Sequence, residues 1–240
     1  VIAVALVFDV TGPMAMFRKS YTTTSSVSFP FPPPTAIAGL LAAIVGYGNN
    51  AANDGFSAAY WRKMKGTRIG LAVLKKGVPS SHAINFSNTK DPQKNPRVQI
   101  KHQFVFSPEY QVYVSGAIES ELRDHLVNGT FVYTPYLGVA YALAEIRFVG
   151  AFAEEPLDTA GPVQVDTVIP WKEGMTVDVL QSGGAFKERM PFRMNEERGL
   201  EEPIDVLYAA SPDKPLLLVE KGEIHVSGCA EDTVAWFPYW

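Results

Sequence analysis

The spacing of apolar and polar positions changes period several times along this chain, and each change predicts an element. Val1 to Val10 is almost continuously aliphatic and β-branched, which predicts a largely buried strand, and Thr11-Gly12-Pro13 ends it. The apolar run over residues 34–47 closes at Gly46-Tyr47-Gly48 and predicts a helix. A small polar loop at Asn49 to Asp54 precedes a second, short helix over Phe56 to Met64. Arg68 to Leu74 predicts a strand. Val78 to Phe86 and Arg97 to Phe106 flank a polar tip interrupted by Pro92 and Pro96, which predicts a long hairpin arm. Tyr110 to Gly116 predicts another strand, and Ser120 to Asn128 a helix with Glu119 and Glu121 near its start and His125 near its end. Ala142 to Phe152 then runs as a strand.

This order of strands and helices is that of an α+β, ferredoxin-like unit over residues 1–152, with the hairpin inserted at about 80–110. From Val163 the pattern changes. Short apolar runs at Val163 to Ile169, Thr176 to Leu180, Ile204 to Ala209, Leu216 to Val219 and Ile224 to Val226 alternate with Gly, Pro and acidic turns. Residues 153–240 therefore read as a β-rich C-terminal region packed on or extending the first.

The approach to the first helix is distinctive. In Phe29-Pro30-Phe31-Pro32-Pro33-Pro34-Thr35-Ala36-Ile37, Pro34 starts the helix, and Pro32 and Pro33 stiffen the chain before it. The preceding loop, Phe17-Arg18-Lys19-Ser20-Tyr21-Thr22-Thr23-Thr24-Ser25-Ser26, brings two cations, a Tyr and hydroxyls toward a helix N-terminus, equipment suited to a phosphate. A capped core helix with a polar lead-in is the plainer alternative.

At 240 residues and 47% hydrophobic, the chain can bury a full core. No apolar run is long enough to span a bilayer, no secretory leader opens the sequence, and Cys229 is the single cysteine, so a cytoplasmic protein with no disulfide is expected. The net charge of −4 conceals a division. Residues 1–108 carry 12 Lys and Arg against Asp9, Asp54 and Asp91, whereas residues 109–240 carry nine against 22 acids. The basic stretch from Arg62 to Lys101 fits a polyanion, or a solvated face balanced by the acidic half. No phosphate-loop, dinucleotide, zinc-hydrolase or nucleophile-elbow motif is present, and no cofactor is implied. Lys101-His102 is the one pair suited to RNA cleavage, His moving a proton and Lys neutralising the phosphorane. Adjacent strand residues point to opposite faces, which favours backbone binding over catalysis.

Three segments together resemble one family. Gly12-x-Met14-Ala15-Met16-Phe17-Arg18, the proline-rich run Phe29 to Leu41, and Tyr133-Thr134-Pro135-Tyr136-Leu137-Gly138 are similar to the CRISPR-associated Cas-five (Cas5) family of the RAMP superfamily, most of all to its type I-B branch. The resemblance implies an RRM-like antiparallel sheet with a β-hairpin thumb. It also implies a subunit of a type I Cascade complex that caps the 5′ handle of the guide RNA, joins the backbone subunits and the large subunit, and reaches target DNA through the complex. Carried onto this sequence, Arg18, Lys19 and Tyr21 would meet the handle, Thr35 and Ala36 would offer helix-end N–H groups, and Lys90, Lys94, Arg97, Lys101 and His102 would fall in the thumb. Tyr136 would stack on a splayed base or serve as a packed structural Tyr. One branch of the family cleaves precursor RNA with a Tyr late in the first helix and a Lys and His on the thumb, residue types that Tyr47, Lys101 and His102 supply. In the I-B branch a separate endonuclease makes the cut, so a binding subunit without metal or catalysis is expected here.

Overall fold

The computed structural model describes residues 3–22, 25–48, 57–157 and 161–240, so the Asn49 to Asp54 loop and the first residue of the Phe56 to Met64 helix lie outside the described residues. The opening aliphatic run forms β1 (Val4–Thr11), followed by the short strands β2 (Met14–Ala15), β3 (Phe17–Arg18) and β4 (Ser28–Phe29). Two helices, α1 (Pro34–Val45) and α2 (Tyr60–Met64), precede β5 (Thr67–Lys75). The arm is β6 (Val78–Ser87) and β7 (Arg97–Phe106), after which come β8 (Glu109–Gly116), α3 (Glu119–Asn128) and β9 (Glu145–Pro156). The C-terminal strands are β10 (Val163–Val165), β11 (Ile169–Pro170), β12 (Met175–Asp178), β13 (Ala185–Met194), β14 (Leu200–Ala209), β15 (Leu216–Lys221), β16 (His225–Cys229) and β17 (Asp232–Trp236).

β1 is buried because it lies inside a six-stranded antiparallel sheet of order β17-β16-β9-β1-β8-β5. Its alternate residues serve two cores. Leu6, Phe8 and Val10 pack with Ile37, Leu41 and Ile44 of α1 and Leu122 of α3, while Ala5 and Val7 face Tyr113, Val234 and Trp236 on the other side. The sheet curls until its edges meet: Phe237 N–H donates to Ile69 O at 2.9 Å and Trp240 N–H to Thr67 O at 3.0 Å. Curling encloses the second core without any helix covering it.

The C-terminal region is continuous with this sheet. Residue 152, where the sequence reading ends its first region, lies within β9, and β16 pairs with that strand at Ser227↔Pro156. β13 and β14 form a long hairpin, and Met190 and Phe192 of β13 join the core beneath α1. Neither β13 nor β17 is foreseen by the sequence pattern. In β13, Lys187, Glu188, Arg189 and Pro191 break the apolar alternation, because its outer face carries ion pairs such as Lys187–Asp205.

α1 follows the proline rule. Pro33 is the N-cap in an extended conformation, Pro34 occupies the first turn, and Gly46 closes the helix with φ 82° and an N–H donated to Ala42 O. Val132 and Tyr133 N–H groups then satisfy the Ile44 and Ala43 carbonyls at 3.1 and 3.0 Å. This cap, made by distant main chain, fixes the segment after α3 onto the end of α1.

Candidate nucleic-acid interface

The proline-led helix start offers less to an anion than the sequence implies. Pro34 has no N–H, and Ala36 and Ile37 donate theirs to Pro33 O at 2.8 and 3.1 Å. Thr35 alone in that turn keeps a main-chain donor to offer, so the expectation that Ala36 presents an N–H is corrected: the prolines that rigidify the turn also remove or occupy its donors.

The Arg18 loop turns away from that helix end and lies on the base of the β6–β7 arm. Ser26 N–H donates to Lys101 O at 2.9 Å, Gln103 N–H donates to Ser26 O at 2.8 Å, and the Ser28 N–H donates to the Gln103 side chain. Ser26 and His102 are thus bridged in parallel, a short third strand beside β7. Arg18 donates to Thr22 O at 2.7 Å, which shapes the loop, and Tyr21 is 70% exposed at its end. Lys19, expected on RNA, is instead mostly buried in a 2.7 Å ion pair with Glu188 of β13, with its ammonium 5.1 Å from the Phe29 ring. Burial costs the cation hydration and pulls its pKa down, but Glu188 and, after it, Tyr21 together outweigh that and leave it raised. Lys19 is a strut that joins the loop to the C-terminal region.

The arm has two unlike faces, set by the register His82↔His102 and Phe86↔Val98. One face carries a run of rings, with Phe86–His102 at 5.3 Å, His102–Phe104 at 6.1 Å and Phe104–Tyr141 at 6.2 Å between centroids. The other carries Arg97 and Lys101, both exposed. Lys90 and Lys94 sit at the exposed tip, in turns held by Asn88 and Asp91 side chains. His102 has its Nδ1 buried without a partner, and burial, followed by the nearby Arg18, lowers its pKa below the usual histidine value.

Thr35, Ala36 and Tyr136 meet elsewhere, in a cleft of about 680 Å³ over the outer face of α1. Its floor is the half-buried stripe Ala36, Gly39 and Ala43, one helical face of small residues. Its walls are tyrosines: Tyr47 from just past α1, Tyr60 from α2, and Tyr133 and Tyr136 from the loop after α3. Arg198, from the β13–β14 turn, completes the rim. Burial raises the Tyr60 phenol pKa, Arg198 acts against that, and Tyr136 adds to it, as expected of three groups gathered closely.

The Tyr136 loop is held rigidly. Leu137 O accepts from Met16 N–H at 3.0 Å, Leu137 N–H donates to Ala142 O at 2.7 Å, and Tyr136 bridges Leu143. Gly138 has φ 88°, and a Cβ there would lie 2.1 Å from Met16 O, so only glycine allows the loop to approach the strand leading to Arg18. The three family-like segments therefore form one surface by main-chain contact, although their side chains serve two separate places.

A family model described as CRISPR-associated protein (Cas_Cas5) matches residues 5–181. The chain belongs to the Cas5 family. No curated protein matches it. Among solved structures, it is similar to a CRISPR protein from Archaeoglobus fulgidus, at 15% identity over 97% of this chain and 98% of the other, with TM-score 0.57. It is also similar to a chain of a CRISPR RNA-guided surveillance complex, at 14% identity over 90% of both, with TM-score 0.52. A third similar chain comes from the Type III-B Cmr-beta complex bound to cognate target RNA and AMPPnP, at 10% identity over 88% of this chain and 86% of that one, with TM-score 0.52. At these identities the structures share the fold.

In this Cas5 chain, the residue types of the RNA-cleaving branch are not gathered. Tyr47 lines the α1 cleft and donates its hydroxyl to Glu121 of α3 at 2.5 Å, with its pKa pushed up to about 12 by burial and then by Glu121. Lys101 and His102 lie on β7 and face opposite sides of the arm. Tyr60, Tyr133, Gly39 and Arg198 carry no role in the sequence reading. Tyr133 and Gly39 lie inside the quoted motifs, and a glycine in a helix interior is a usable signal. Arg198 enters by tertiary contact alone. Among the described residues no helix is long and apolar enough to cross a membrane.

Proposed function

We propose that this protein is the subunit of a type I CRISPR effector complex, Cascade, that binds the 5′ handle of the guide RNA without cutting it. The observation that carries the reading is the strap between Ser26 and the arm, which ties the loop bearing Arg18 and Tyr21 to β7 at Lys101 and Gln103 and leaves Arg18 near His102. A cationic corner with an exposed aromatic suits a single-stranded RNA end, where phosphates meet charge and unpaired bases meet rings. Arg97, Lys94 and Lys90 extend that charge along the arm, and Lys19 positions the loop. The sheet order β9-β1-β8-β5, with α1 and α3 on one face, supports a ferredoxin-like core of the RAMP kind whose arm is the thumb. The type I-B affiliation rests on the sequence motifs.

The acidic C-terminal half suits protein neighbours, the backbone and large subunits, since it would repel RNA; target DNA is then met through the assembled complex. Two features support a non-catalytic role: the Tyr47 hydroxyl is engaged by Glu121 with a raised pKa, and Lys101 and His102 face apart. Co-purification with its natural partners, followed by sequencing of bound RNA, tests the reading. Repeat-derived RNA with one common end is the expected result, and random cellular RNA would reject it. Specific cleavage of repeat RNA by the purified chain, abolished by His102→Ala, would overturn the non-catalytic part.

A further inference from the structure

α1 carries a glycine that its own packing does not require. Gly39 has ordinary helical geometry, and a Cβ built on it meets no atom within 4 Å among the described residues. Glycine in a helix interior is about 1 kcal/mol less favourable than alanine, so the residue weakens a helix that nothing in the described chain obliges it to accommodate. The space above it is the cleft between Tyr60, Tyr133 and Tyr136, of about 680 Å³, a volume ordinary for a small-molecule or nucleotide site. The main chain that carries these wall tyrosines is fastened without a ligand, because Tyr133 N–H donates to an α1 carbonyl, Leu137 O accepts from Met16 N–H and Tyr136 bridges Leu143.

We infer that this cleft takes one unpaired nucleobase of the bound RNA, turned out of the strand over Gly39 and stacked on the tyrosines, with its phosphate toward Arg198. The inference rests on the RNA-binding function proposed above and adds a second contact region to it. Three features select this occupant. The walls are flat rings carrying hydroxyls, the geometry of base stacking with edge hydrogen bonds. The floor lacks the Cβ atom that would stand between a ring and the helix. The rim is cationic at two points, with Arg198 on one side and Lys63 placed 6.0 Å from the Tyr47 ring on another, while the acid at the Tyr47 end, Glu121, accepts a hydrogen bond from that phenol.

The full chain with single-stranded repeat RNA provides the test, and Gly39→Leu is the variant. It fills the cleft, improves helix propensity, and meets no described atom at its Cβ, so the melting temperature should hold or rise; Gly39→Ala, shorter by three carbons, is the control. Gly39→Leu is expected to weaken RNA binding about 10-fold, within the range of one lost base stack, and Gly39→Ala much less. Abasic scanning of the RNA should find one position whose removal weakens wild-type binding similarly and makes Gly39→Leu and wild type equal. If Gly39→Leu binds intact RNA like wild type while Arg18→Ala still weakens it, the cleft assignment falls and the handle reading stands. If Gly39→Leu instead loses only a protein partner, the cleft is a protein-docking site and the nucleobase is overturned. If the wild-type chain binds no repeat RNA, both readings fail.

Discussion

The α1 cleft and the β6–β7 arm are built on opposite principles. The cleft is aromatic and locked, its walls held by hydrogen bonds from three distant parts of the chain. The arm is cationic and lean, supported among the described residues at its base by Ala15, Ser26 and Tyr141 and at its tip by local turns. Charge acts through water over about 8–10 Å and tolerates loose placement, whereas stacking needs a surface fixed to within a fraction of an ångström. Each region therefore has the rigidity that the chemistry proposed for it requires.

The sharpest way to break the contrast is to attack the joint that locks the cleft. Gly138→Ala forces a side chain to within 2.1 Å of Met16 O at a positive φ, and is expected to destabilise the fold by about 2–4 kcal/mol, read as a lower urea midpoint. An unchanged midpoint would show that the joint is not rigid. Next in size is the base of the arm. Arg18→Ala with Lys101→Ala should lower RNA affinity on the order of 10-fold and flatten the log-affinity against log-salt slope by about 1.4, two single-strand phosphate contacts. Equal slopes for variant and wild type would remove these residues from the RNA.

Smaller effects belong to the tip. Lys90→Ala with Lys94→Ala should cost less than about threefold in affinity and leave thermal stability within about 0.5 kcal/mol, because both side chains are exposed and hold nothing in place. A loss as large as that at the base would make the tip the principal contact. The smallest effect is that of His102. Its folded pKa is lowered, so the unfolded chain takes up the proton first; its contribution to stability is complete above about pH 6.5 and is lost as pH falls through the folded value. His102→Phe should reduce this acid sensitivity in part, since the His225 pKa is lowered too. Arg18→Ala should raise the His102 pKa in an NMR titration, and no movement would mean that the two cations are not neighbours.

Much of the fold was legible before the structure. The aliphatic run to Val10, the Pro34 start and Gly46 stop of α1, and the polar tip between Val78 and Phe106 are local signals, and local chemistry enforces them. β13 was hidden because its charged residues find ion-pair partners far away in sequence, Lys187 and Arg189 with Asp205 and Glu188 with Lys19, and β17 because five residues after a short turn become a strand only by pairing with β16. The site was legible by residue type more than by place. Arg18 and Lys101 were singled out as cations, Tyr136 as an aromatic and Thr35 as part of a helix end. Their division between the base of the arm and an aromatic cleft was not visible, since it depends on which way the Arg18 loop folds.

Lys19 shows the same boundary at one residue. Its sequence neighbours suggest a phosphate ligand, yet a glutamate 169 positions away takes its charge. Spacing and composition determined the helix start, the arm, the charge division and the family, because each depends on residues near one another in the chain or on their order. The tertiary structure alone decided the curled closure of the sheet, the strap on the arm, the ion pair of Lys19 and the space above Gly39. Those depend on which distant groups come within bonding distance, and a backbone N–H or a buried charge finds its partner only when the chain has closed around it.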